Sequence, residues 1–184
     1  QYGKSAVELD SMLQLLDVSL EGMKSYQFIA ERVAALKKVA IGATAPDFSQ
    51  NDADGNPIKF SDVYGANKIT LVDFWASWCV PCLKSFPWMQ SMQHKYADQG
   101  LEIIAINLDE DSGSAKQFLS QFDVDFKVLF NSSGDIAAQF GLVGMPSSYL
   151  FNRDGVLVSS HVGFFNEELA QLEQAILMQF AIER

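Results

Sequence analysis

Residues 69–87 read Ile69-Thr-Leu-Val-Asp-Phe-Trp-Ala-Ser-Trp-Cys-Val-Pro-Cys-Leu-Lys-Ser-Phe-Pro87. From Ile69 to Trp75 the run is rich in β-branched and aromatic residues, the signature of a buried strand. Beyond Val80 the pattern changes: Leu83, Phe86, Met89, Met92 and Tyr96 recur at helical spacing. Cys79 and Cys82, the two cysteines of the chain, therefore fall where a strand hands over to a helix, with Cys79 at or near the N-cap.

That placement carries chemistry. A helix N-terminus presents unpaired N–H groups and a partial positive charge. A thiolate there is stabilised, so Cys79 is expected to ionise below the free-thiol value of about 8.5. Cys82, one turn on, can close a short ring with it. Pro81 suits the first helical turn, where its missing N–H costs nothing. The expected product is a dithiol in which Cys79 attacks a disulfide and Cys82 resolves the mixed disulfide. A zinc site needs more ligands than a single Cys-x-x-Cys supplies. His94 and His161, the two histidines, lack finger-like spacing and receive no role. A purely structural bridge closing so small a loop would constrain the unfolded chain little.

At this point the segment resembles the active-site stretch of the thioredoxin superfamily, and the surrounding chain resembles its TlpA/ResA-like, DsbE-related branch. The resemblance runs from about Ile41 to Met178. It rests on Gly42-Ala-Thr-Ala-Pro-Asp-Phe48, on Trp78-Cys-Val-Pro-Cys82, on Pro87 five residues after Cys82, and on Met145-Pro146. It implies an α/β thioredoxin-like fold: an N-terminal β-hairpin, a central mixed sheet flanked by helices, and a central α/β insertion between Ser112 and Phe130. It also implies a cis bond before Pro146, placing Met145 and Pro146 opposite the dithiol to pair with an extended substrate strand.

Asp73 is the secondary residue of most interest. A carboxylate inside an apolar strand is costly to ionise, so its pKa should rise, which suits it to accept and release the Cys82 proton near neutral pH. The matching Asp of thioredoxins has that role. Many members of the TlpA/ResA-like branch instead carry a Glu three residues after the second cysteine. Ser85 stands there, which favours Asp73 as the sole nearby acid. Trp78, Val80 and Pro81 complete the expected substrate-binding rim. Lys84 reads as a solvated residue.

The rest of the chain sets bounds. Its 184 residues suffice for one well-cored domain and an appendage. A net charge of −10 without a basic run argues against nucleic-acid partners. No apolar run approaches a membrane span. The opening Gln1-Tyr-Gly-Lys lacks a start Met and a signal peptide, consistent with a mature or trimmed form. Family resemblance implies a periplasmic protein, or one facing the periplasm from a membrane anchor outside this chain.

Ser5 to Lys38 reads as an amphipathic helical arm broken near Gly22. The expected layout is an arm over residues 1–40 and a thioredoxin-like domain over 41–184. The arm packs on its own domain or makes a homodimer, since an apolar stripe must be covered. Asp52-Ala-Asp-Gly55 is a turn within a hairpin, and Ser61 or Asp62 could cap the short helix that follows. Leu101 to Leu108 is a second buried strand. Ser114 to Phe122 is a helix capped by Ser112. Phe126–Phe130, Asp135–Phe140, the hairpin Ser147–Phe151/Val156–His161, and a last helix opened by Asn166 or Glu167 complete the expectation.

The resulting functional expectation is a thiol–disulfide oxidoreductase, preferentially a reductant, needing no cofactor and no metal. It would act on disulfide-bonded protein substrates and be recharged by an upstream thiol donor. Three alternatives each require residues that this sequence lacks. Specialisation for cytochrome c maturation usually brings an acidic residue after the loop proline, where Ser147 stands. A thiol peroxidase shares Ala45-Pro-Asp-Phe48, but no Pro-x-x-x-Thr-x-x-Cys loop precedes Cys79. A copper chaperone needs two cysteines four apart and a distal His.

Overall fold

The computed structural model describes residues 6–163 and 166–182. Residues 1–5, including the Ser5 expected to open the arm, lie outside the described residues.

The central sheet has five strands in the order β5-β4-β3-β6-β7. These are β3 (Ile69–Trp75), β4 (Leu101–Asn107), β5 (Lys127–Phe130), β6 (Ser147–Asn152) and β7 (Leu157–Val162). β3, β4 and β5 run parallel, whereas β6 and β7 run antiparallel to their neighbours. β3 is central and wholly buried, which explains why its sequence is a continuous apolar run rather than an alternating one. A second, two-stranded sheet pairs β1 (Ser49–Asn51) with β2 (Pro57–Lys59) around the Asp52–Gly55 turn.

Helices cover both faces. Leu71 and Trp75 of β3 point to one face, packed against α4 (Val80–Tyr96) and α7 (Asn166–Ile182) through Phe86, Met89, Leu172 and Ile176. Val72 and Phe74 point to the other, packed against Phe60 of α3 (Phe60–Ala66) and Ile136 and Phe140 in and after α6 (Asp135–Gln139). The central insertion supplies α5 (Ser112–Leu119) and the edge strand β5. Its Phe118 packs edge-on against Phe86 and at a tilt against Trp75, beneath the helix that carries the cysteines.

The N-terminal arm consists of α1 (Ala6–Gln14), a 3-10 turn at Val18–Leu20, and α2 (Lys24–Lys38). The break is wider than the single Gly22 predicted. α2 buries Val33 and lies against the α6 region, where Gly141 (φ 58°) has an approach so close that a Cβ would stand 3.2 Å from Ala35. Val7, Met12, Leu15, Met23 and Phe28 of the arm remain exposed.

Two capping expectations need correction. α3 starts at Phe60, and the Ser61 N–H is met by Asp47 Oδ1 from fourteen residues upstream, a partner that only the fold brings in. Ser112 is the first residue of α5 rather than its cap, which is Asp111.

Candidate functional site

Cys79 is the N-cap residue of α4 and Pro81 lies in its first turn. The Cys82 backbone N–H donates to Cys79 Sγ at 3.3 Å, so one of the orphan donors of the helix start is aimed at the sulfur. Cys79 and Cys82 form a disulfide. Exposure separates their roles: Cys79 keeps 6% of its surface accessible and Cys82 none. An incoming sulfur therefore has access to Cys79 first. Trp78 is 67% exposed beside it, and Val80 and Pro81 are exposed as well.

The loop before the helix is anchored by a residue that the sequence reading missed. The Asp109 carboxylate accepts from the Ser77 N–H at 2.9 Å, from Ser77 Oγ at 3.0 Å and from Asn107 Nδ2 at 2.7 Å. Asp109 itself is buried. This network ties the turn between β3 and α4 to the end of β4. Nothing local in the sequence links Ser77 to a residue 32 positions on.

Asp73 lies on the β3 face that α4 covers, and it is only 3% exposed. Ser148 Oγ donates to its Oδ1 at 2.6 Å, while Oδ2 has no partner among the described residues. Burial pushes the Asp73 pKa up to about 7, against a lowering by the Ser148 hydrogen bond. A small cavity of about 10 Å³ lies at this point, walled by Asp73 and Ser148 from the sheet, Ser85 and Met89 from α4, Pro146, and His161. That volume suits one water molecule. Ser85 lies one turn beyond Cys82 on α4, and its hydroxyl donates to the Cys82 carbonyl at 2.6 Å.

The Met145–Pro146 bond is cis, as the resemblance implied. Pro146 is buried and accepts from the Gly163 N–H, whereas Met145 is half-buried and packs on the cluster that holds both cysteines. Among the described residues, nothing is hydrogen-bonded to the Met145 backbone. The fold thus brings Asp73, Cys79, Cys82, Met145 and Pro146, predicted as separate site residues, to one end of the sheet. His94 lies away on the surface, its Nδ1 3.0 Å from an Asp125 carboxylate oxygen. Among the described residues no cluster of His, Cys, Asp and Glu could hold a metal ion, and no helix is long and apolar enough to cross a membrane.

A mixed sheet with a Cys-x-x-Cys disulfide at the start of the helix after its central strand defines a thioredoxin-like thiol–disulfide oxidoreductase. The chain belongs to the AhpC/TSA family, whose model matches residues 41–160. It is 36% identical over 138 residues to the thiol-disulfide oxidoreductase ResA of Bacillus thuringiensis subsp. konkukian, covering 75% of this chain and 78% of that one. ResA of Bacillus anthracis is 35% identical over 153 residues, 83% of this chain and 84% of its own. Among solved structures, a Chlorobium tepidum protein described as a thiol:disulfide interchange protein DsbE superposes with a TM-score of 0.73 at 41% identity. That match covers 77% of this chain and 99% of the other.

Proposed function

We propose that this chain is a reductant of disulfides in extracytoplasmic protein substrates, recharged by an upstream thiol donor. The observation that carries the direction is Asp73: a buried carboxylate without a countercharge, beneath the helix that bears the dithiol. An oxidant of this class is strong because its reduced, thiolate form is stabilised. A buried negative charge near the dithiol works the other way. It disfavours the thiolate, leaves the disulfide as the comfortable form, and makes the dithiol a willing donor of electrons.

In the proposed cycle the Cys79 thiolate attacks one sulfur of the substrate disulfide, forming a mixed disulfide as the substrate S–S bond breaks and the other substrate sulfur leaves as a thiolate. The Cys82 thiol then gives its proton to the Asp73 carboxylate as its sulfur bonds to Cys79. The substrate sulfur leaves with the electron pair. Trp78, Val80 and Pro81 form the exposed rim for the substrate, and the Met145 backbone offers an N–H and a C=O to an extended substrate strand, with Pro146 fixing the loop. Extracytoplasmic placement, with any membrane anchor outside this chain, is part of the same proposal and is supported by the likeness to ResA. The division into an arm over 1–40 and a catalytic domain over 41–184 belongs to the same proposal, its boundary supported by the family match that starts at residue 41, with the exposed apolar residues of the arm as the candidate dimer contact.

The deciding experiment is the reduction potential of the Cys79–Cys82 pair, measured by equilibration against glutathione or dithiothreitol buffers. A value near that of thioredoxin, about −270 mV, supports a reductant. A value near about −120 mV would make the protein an inserter of disulfides and overturn the direction.

A further inference from the structure

A carboxyl group that takes up a proton in every turnover must lose it again to solvent. Asp73 is deeply buried, and its Oδ1 is occupied by Ser148. The remaining oxygen, Oδ2, is the one left to exchange.

The sheet register shows where that exchange can go. Asp73 stands opposite Ser148, and Ser148 stands opposite His161. Opposed residues share a sheet face, so the three form one row running from the buried centre to the edge strand β7. His161 is half-buried, and its Nε2 lies 2.8 Å from Ser159 Oγ. Asp73 and His161 wall the same water-sized cavity. The other described walls come from Ser85, Trp88 and Met89 on α4, Pro146 and Gly163, and Leu169 and Leu172 on α7, none of them titratable. Asp73 and His161 are thus the titratable pair facing this space among the described residues. Imidazole is the side chain whose ordinary titration lies nearest neutral pH and which can hold a proton on one nitrogen while releasing one from the other.

We propose that His161 is a proton-relay residue: Asp73 exchanges its proton with solvent through one water in the cavity and the His161 imidazole. The proposal rests on the Asp73 role given above. As Cys82 closes on Cys79 and its proton reaches the Asp73 carboxyl, a proton leaves Asp73 for the cavity water in the same step, so that resolution runs only as fast as the relay. A proton from that water passes to the imidazole, and the imidazole releases one to bulk solvent. No electrons move in the relay. When an upstream donor reduces the disulfide, the same path runs inward. His161 touches neither sulfur, so it acts through Asp73 as a positioning and relay group.

The test uses the reduced full chain mixed with excess 5,5′-dithiobis(2-nitrobenzoate). The first thionitrobenzoate released reports attack by Cys79, and the second reports resolution by Cys82. His161→Gln keeps a polar side chain able to reach Ser159 but cannot relay a proton. Its second phase is expected to slow about 10-fold or more, with the first phase unchanged. Added imidazole should restore that phase in proportion to its concentration, which a merely structural role would not produce. His161→Asn is run alongside, so that a folding loss in one variant leaves the other to decide. A second phase at the wild-type rate, or a slowed one that imidazole does not restore, overturns the relay. Asp73→Asn in the same assay separates the two ideas. If it slows resolution while the His161 variants do not, only the relay fails. If it does not slow resolution, the Asp73 role fails and the relay with it.

Discussion

Ser148 Oγ donates a 2.6 Å hydrogen bond to Asp73 Oδ1 across the antiparallel pair β3–β6, and the second carboxylate oxygen has no partner among the described residues. One bond from a neutral hydroxyl is too little to hold a buried carboxylate ionised. The group is therefore poised between protonated and charged near neutral pH, about 7, with burial as the dominant cause.

This makes the stability of the fold pH-dependent in a defined window. In the unfolded chain Asp73 loses its proton near the ordinary value of 3.8; in the folded chain it keeps it up to about 7. Across that interval the native state binds a proton that the unfolded state lacks. Stability from this group is complete below the lower value and falls as pH rises through the upper one. The loss amounts to as much as about 4 kcal/mol. Asp73→Asn should be more stable than the wild type at pH 8, with the difference vanishing near pH 4. Urea unfolding of the oxidised protein at both pH values checks this, and parallel pH profiles would refute it.

The asymmetry of the cysteines predicts different fates for their variants. Cys82→Ser should trap a mixed disulfide between Cys79 and a protein substrate, visible as a band on non-reducing electrophoresis. Cys79→Ser should trap nothing and lose disulfide exchange, because the remaining thiol is fully buried. A trapped species in Cys79→Ser would reverse the assignment.

Asp109 holds the turn that presents Trp78 and Cys79. Asp109→Ala removes the acceptor for the Ser77 N–H, Ser77 Oγ and Asn107 Nδ2, and should cost about 2–3 kcal/mol of stability. It should also slow attack by Cys79, since the loop before the helix loses its tether. Asp109→Asn, which keeps one acceptor oxygen, should be intermediate in both. Denaturant titration and the rate of Cys79 alkylation in the reduced protein measure the two effects, and equal values for all three proteins would remove Asp109 from the site.

The arm depends on one glycine. Gly141 has φ 58°, and a side chain there would press on the α2 backbone at Ala35 and Leu36. Gly141→Val should cost about 1–2 kcal/mol from the left-handed conformation alone. It should also lift α2 from α6, so that proteolysis between α1 and α2 speeds up while disulfide exchange persists. Simultaneous loss of both would show that arm and domain are one folding unit, against the proposed division near residue 40.

How much of this was legible in the sequence varied with how local the cause was. The two cysteines, their place at a strand–helix junction and the buried central strand are all written in short-range pattern: a run of β-branched and aromatic residues, then a 3.6-residue period. Strand order was legible in part, because strand–helix–strand succession demands parallel neighbours. The caps escape short-range pattern because a cap can be borrowed from a distant residue. The Ser61 N–H finds Asp47 only after the hairpin has folded.

The sequence by itself determined the thioredoxin-like class, the reacting pair Cys79 and Cys82, and Asp73 as an acid in an apolar strand. These depend on residue type and on spacing of a few positions, which the chain carries before it folds. The tertiary structure alone decided what surrounds them. It set Ser148 on Asp73 across 75 residues, Asp109 on Ser77 across 32, and His161 on the same cavity wall as Asp73. Strand register determines such meetings. A shift of one residue would turn Ser148 and His161 to the opposite face, and no local signal in either segment announces which partner the pleat will bring.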